Sequence, residues 1–93
     1  MTVGILTVDL HIPESGSLKG KRKIIKSLLD RLKSRFNISC AEVSSQDLWQ
    51  RATLGIVCVN SSRDFANRTL NQVVDMVEQE GEAQLLNYDI ELI

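Results

Sequence analysis

Arg51-Ala52-Thr53-Leu54-Gly55-Ile56-Val57-Cys58-Val59-Asn60, followed by Ser61-Ser62-Arg63-Asp64, is the stretch that decides the fold. From Leu54 to Val59 the run is apolar on both faces, the pattern of a strand with a neighbour on each side. Ser61 and Asp64 have the spacing of a capping box, with Ser61 reaching forward and Asp64 reaching back. Ala66, Leu70, Val73, Val74 and Val77 then make one stripe at helical spacing, and Gly81 is the expected C-cap. A central strand therefore leads directly into an amphipathic helix.

Working outward, Leu85 to Ile93 alternates. Leu86, Tyr88, Ile90 and Leu92 fall on one face, and Asn87, Asp89, Glu91 and Ile93 on the other. On the other side, Ile38 to Ser45 is short, Ser-rich and compatible with a strand. Gln46-Asp47-Leu48-Trp49-Gln50 connects it to the central strand as a hairpin with a long turn. Leu18, Ile25, Leu28, Leu29, Leu32 and Phe36 recur at helical spacing and predict a helix over 18–35, about 27 Å long. Asn37 ends it. Pro13-Glu14-Ser15-Gly16-Ser17 is turn chemistry, and Ser15 or Ser17 can cap the helix. Val3 to Ile12 alternates with Leu6, Val8, Leu10 and Ile12 on one face.

The order strand, helix, strand, strand, helix, strand is that of an α+β, ferredoxin-like βαββαβ domain. Right-handed crossovers put both helices on one face of a four-stranded antiparallel sheet. The first and third strands are central; the second and fourth are edges. Leu6, Val8, Leu10, Leu54, Ile56, Leu86 and Ile90 are expected to face the helices, leaving the other sheet face open.

The chain has 93 residues, 43% hydrophobic and 25% charged, which fits one domain over 1–93. No apolar run is long enough to span a bilayer. Met1-Thr2-Val3-Gly4-Ile5 has no basic region ahead of an apolar block, so no signal peptide is expected. Two Cys without a Cys-x-x-Cys pair, and one His, do not make an ordinary zinc site. Hairpin pairing centred near Leu48 sets Cys40 opposite Ile56 and Cys58 opposite Ile38, so reduced, buried thiols in the cytoplasm are expected.

A formal net charge of −1 conceals a segregation. Residues 19–35 hold eight bases against Asp30, a charge of +7, while residues 69–93 hold six acids and no base, a charge of −6. The bases occupy positions between the apolar ones on the first helix and are expected to point to water. Lys19, Lys21, Arg22, Lys23, Lys26 and Lys33 then form a cluster suited to a phosphate backbone. The bland reading, a solvated face or a match for the acidic C-terminal part, stands at even weight.

Other motifs say less. Three residues separate Gly16 from Gly20 and Arg22 follows Lys21, so no P-loop is present and nucleotide hydrolysis is rejected. Lys19 and Lys21 beside a helix start could hold one phosphate, although a capped surface turn is the commoner case. Trp49, the sole Trp, is expected to close one end of the core; beside Arg51 it could instead stack on a base. Stacking of the RRM type is excluded, because neither central strand carries an aromatic. Val3, Ile5, Val57 and Val59 make the open face apolar and suit self-association as a homodimer. Asp9 and His11 share a face but are expected to be surface groups rather than a general base or metal site. No catalytic group, metal or cofactor is expected.

Ser17-Leu18-Lys19-Gly20-Lys21-Arg22, Arg35-Phe36-Asn37-Ile38-Ser39, Ala41-Glu42-Val43 and Gln46-Asp47-Leu48-Trp49-Gln50-Arg51-Ala52-Thr53-Leu54-Gly55 resemble, in order and spacing, the YlxP-like family of small bacterial proteins. The likeness spans almost the whole chain. It implies a ferredoxin-like fold and no established activity. Genes of that family often lie near those for translation initiation and ribosome-binding factors, which implies a role around translation or RNA. Gly20 departs from the family pattern, where a helix-forming residue is usual, and it loosens the helix's first turn. The leading expectation is a non-catalytic RNA- or ribosome-associated module in the cytoplasm. It would contact phosphates through the basic helix, with Trp49 and Arg51 adding a stacking contact. The alternative is an adaptor acting through self-association of the open sheet.

Overall fold

A computed structural model of the chain describes residues 1–13 and 16–93. Its elements are β1 (Thr2–His11), α1 (Leu18–Arg35), β2 (Ser39–Ser44), β3 (Arg51–Asn60), α2 (Arg63–Glu78) and β4 (Gln84–Leu92). The four strands form one antiparallel sheet in the order β2-β3-β1-β4, with both helices on one face. This is the βαββαβ arrangement expected from the hydrophobic pattern.

β1 and β3 pair along their whole length, from Thr2 opposite Asn60 to His11 opposite Arg51. Their even-numbered residues face the helices: Leu6, Val8 and Leu10 of β1, and Ala52, Leu54 and Ile56 of β3 are all buried. Ile25, Leu28 and Leu32 of α1 and the stripe Ala66, Leu70, Val73, Val74 and Val77 of α2 close over them. Each buried Val, Leu or Ile side chain among them contributes roughly 1.5–3 kcal/mol. α2 packs closely over Gly4: a Cβ there would stand 2.8 Å from Leu70 Cδ1 and 3.0 Å from Cys58 Sγ.

The structure moves three local features. The cap of α2 is Ser62, whose Oγ accepts from Phe65 N–H at 3.3 Å; it is not Ser61. Asn60 Oδ1 accepts from Ser62 N–H at 2.8 Å, which turns the chain at the strand end and shifts the cap by one. At the other end Gln79 is the C-cap, in ordinary right-handed geometry, so Gly81 does not play that part. Leu86 does not face the core. The register between β1 and β4 shifts between Asp9 and Leu10, so Leu10 pairs with Leu85 and Asp9 with Asn87. Leu86 is the extra residue of that bulge, 49% exposed, and Leu85 packs against the core in its place.

α1 starts as expected, with Ser17 Oγ accepting from Gly20 N–H at 3.0 Å. Ser15, the other candidate cap, lies outside the described residues. Cys40 pairs with Ile56, as the hairpin centre required, and both cysteines are free and buried.

Candidate nucleic-acid interface

The exposed side of α1 carries most of the molecule's positive charge. At 3.6 residues per turn, Lys19, Arg22, Lys23, Lys26 and Lys33 fall within about 100° of arc, opposite the buried stripe. All five are exposed. Lys26 pairs with Asp30 at 3.0 Å in a solvated i, i+4 contact. Among the described residues the other four have no ion-pair partner. Arg31, on the flank of the helix, pairs with Glu80 just beyond α2. One contact thus joins the basic helix to the acidic part of the chain, and the main stripe stays open. Arg22, Lys26 and Lys33 also line a groove of about 360 Å³ between α1 and β2, whose other walls include Leu29, Asp30 and Glu42.

Lys21 departs from the expectation that it would face solvent. It is 0% exposed. Its Nζ donates to Ser45 O at 2.8 Å, Gln46 O at 3.2 Å and Arg51 O at 3.1 Å. Glu42 Oε2 stands 2.8 Å from the same nitrogen and balances its charge. That oxygen has no hydrogen-bond partner, while the three carbonyls match the three ammonium protons in number. Lys21 therefore has no proton to offer a phosphate. Its position was the signal: it precedes Ile25 by four residues, Leu28 by seven and Leu32 by eleven, so it belongs to the apolar stripe. Residue type had masked that. Glu42 and the carbonyls of the turn complete a site that composition and spacing alone did not reveal.

The turn held by Lys21 carries Trp49. The indole is 57% exposed and its neighbour Leu48 is 51% exposed, so Trp49 does not close the core. Arg51 is exposed on the first residue of β3. Ser45, at φ 64, is the one described non-glycine residue in left-handed geometry.

The open sheet face is apolar toward one end. Val3 pairs with Val59 and Ile5 with Val57; Val59 is 56% exposed and Val3 and Ile5 are half-buried. Asp89 and Glu91 of β4 border this patch, opposite Thr7 and Ile5. Toward the other end, Thr53 Oγ1 donates to Asp9 Oδ1 at 2.8 Å, and no ion pair joins Asp9 to His11. Among the described residues no three His, Cys, Asp or Glu side chains are grouped to hold a metal, and no helix is long and apolar enough to cross a membrane.

A family model described as "Protein of unknown function (DUF503)" matches residues 3–90. The chain belongs to this family. It is 37% identical over 76 residues to the "Uncharacterized protein YlxP" of Bacillus subtilis (strain 168), across 82% of this chain and 83% of the relative. The likeness to YlxP-like proteins read from the four sequence runs is therefore correct. Among solved structures the chain is similar to the de novo designed protein Foldit4. The TM-score is 0.55 at 10% identity, covering 100% of this chain and 97% of the other, a likeness of fold alone.

Proposed function

We propose that this member of the DUF503 family is a non-catalytic, cytoplasmic RNA- or ribosome-associated module that binds phosphate backbone through α1. The observation that carries the reading is the stripe Lys19, Arg22, Lys23, Lys26 and Lys33, exposed on one side of a rigid helix with a single acid among them. Exposed cations within about one Debye length of each other reinforce one another. Lys21 has no part in phosphate contact, and Arg51 adds a cation beside the turn. Binding of this kind tolerates sequence and weakens steeply with salt. The test is a labelled RNA titrated at low salt against the protein and against a Lys19→Glu, Arg22→Glu, Lys23→Glu variant. Binding that survives in the variant ends the proposal.

A second reading, self-association of the open sheet, is favoured by the exposure of Val59 beside Val3, Ile5 and Val57. A face-to-face homodimer would bury that patch and leave both basic helices outward. Light scattering decides it: a dimer that Val59→Asp converts to monomer supports the reading, and a monomer at high concentration removes it.

A further inference from the structure

We infer that Lys21 is a positioning residue that makes the β2–β3 turn a fixed stacking platform, so that the interface takes single-stranded rather than duplex nucleic acid, with Trp49 stacked on an unpaired base. This rests on the phosphate-binding reading above and names its substrate class.

The starting point is an oddity of choice. Ile25, Leu28 and Leu32 fill the same stripe of α1 with aliphatic side chains, and an aliphatic residue at 21 would pack α1 against the sheet as well. An ammonium at 0% exposure instead carries a large desolvation cost. What lysine does there is tie both stems of one turn to one nitrogen, through Ser45 O and Gln46 O on one side and Arg51 O on the other. The turn is held from the β1 side too. Ile12 N–H donates to Gln50 O at 2.9 Å, and Gln50 Nε2 donates to Pro13 O at 3.2 Å. Within the turn, Leu48 N–H donates to Ser45 O at 3.1 Å. Backbone held from three directions presents two large apolar side chains, Leu48 and Trp49, to solvent. With the backbone on both sides of Trp49 tied, fewer conformations of the turn remain for binding to freeze, and a platform restricted in this way binds at a smaller entropy loss.

The surroundings choose the partner. Arg51, two residues after Trp49, is exposed on the first residue of β3, and Asp47 is the turn's one acid. An exposed π face next to a cation in the chain suits an unpaired base with its phosphate. A duplex keeps its base faces stacked on one another and offers Trp49 none. An acidic polypeptide would satisfy the cations but gives the indole no plane to stack on.

Trp49 is the sole tryptophan, so intrinsic fluorescence reads it directly. Short oligouridine and a blunt RNA duplex, each carrying a fluorescent label whose anisotropy reads affinity in every variant, and polyglutamate are titrated into the full chain at low salt, with Trp49 emission as a second readout in the native protein. Oligouridine is expected to quench Trp49 and to bind about tenfold more tightly than the duplex, the order of one base–aromatic stack. Trp49→Ala should remove that tenfold advantage and leave duplex binding alone, and Trp49→Phe should restore much of it. Lys21→Met should lose the advantage in the same way. Because that variant could fail to fold, the native protein supplies a second reading: Trp49 anisotropy should decay with overall tumbling alone. A fast, large-amplitude local decay overturns the clamp. Equal binding of both RNAs, with Trp49 unquenched and Trp49→Ala neutral, overturns the inference but leaves phosphate binding standing. Quenching by polyglutamate as strong as by oligouridine overturns it in favour of a protein partner. No binding of either RNA removes both readings.

Discussion

Taking away the Lys21 ammonium would remove a donor from three carbonyls, leaving Ser45 O with Leu48 N–H alone, and would leave Glu42 without its counter-charge. Removing one member of a buried pair typically costs about 3–5 kcal/mol. Lys21→Met is therefore expected to lower the urea midpoint strongly, whereas Lys23→Met, on the solvated face, should leave it in place. Equal, small effects at the two positions would show that Lys21 is not the tie described here. The two thiols give a pH prediction. Burial raises the pKa of Cys40 above 9.0, against a smaller lowering by Lys33, and burial likewise raises Cys58. As pH rises, the unfolded chain gives up these protons before the folded one does. Their contribution is thus intact below the unfolded value of 9.0 and is lost above it. Urea midpoints at pH 7 and pH 10 should differ more in the native protein than in a Cys40→Ala, Cys58→Ala variant. Lys21 also shows where reading residue type fails. A lysine among seven other bases looks like a surface charge until its helical position is given precedence.

At the scale of elements, α1 was legible in its span and stripe, with Ser17 one of the two caps the local sequence offers; its C-cap is Phe36, one residue before Asn37. α2 was legible in its stripe but not in its cap. The pattern Ser61-Ser62-Arg63-Asp64 fits a capping box on Ser61, yet the Asn60 side chain holds Ser62 N–H and moves the start by one residue. Ser62→Ala should therefore cost about 1 kcal/mol in chemical unfolding, and Ser61→Ala little. The reverse ranking would return the cap to Ser61. β4 failed in a different way. Its alternation is clean within the strand, but a bulge is fixed by the partner β1, and no single strand records an extra residue in a pair. Hence the alternation alone puts Leu86 in the core and Leu85 outside it. The turn carrying Trp49 was unreadable for a similar reason, since the side chain that fixes it comes from α1.

The whole molecule has a net charge of −1 that describes none of its surfaces. Five exposed bases share one side of α1, and the acids gather after α2 and along β4. The Arg31–Glu80 pair bridges the two regions without neutralising the stripe. An anion approaching this molecule meets opposite potentials on different sides, so orientation, rather than total charge, governs the encounter. Salt dependence of RNA binding tests that claim most directly. If all five cations of the stripe contact phosphate on a single strand, the log–log slope should be about −3.5. It should fall toward zero in the Lys19→Glu, Arg22→Glu, Lys23→Glu variant, with the fold intact by circular dichroism. RNA binding with a flat salt response, or the same slope in both proteins, would contradict the account.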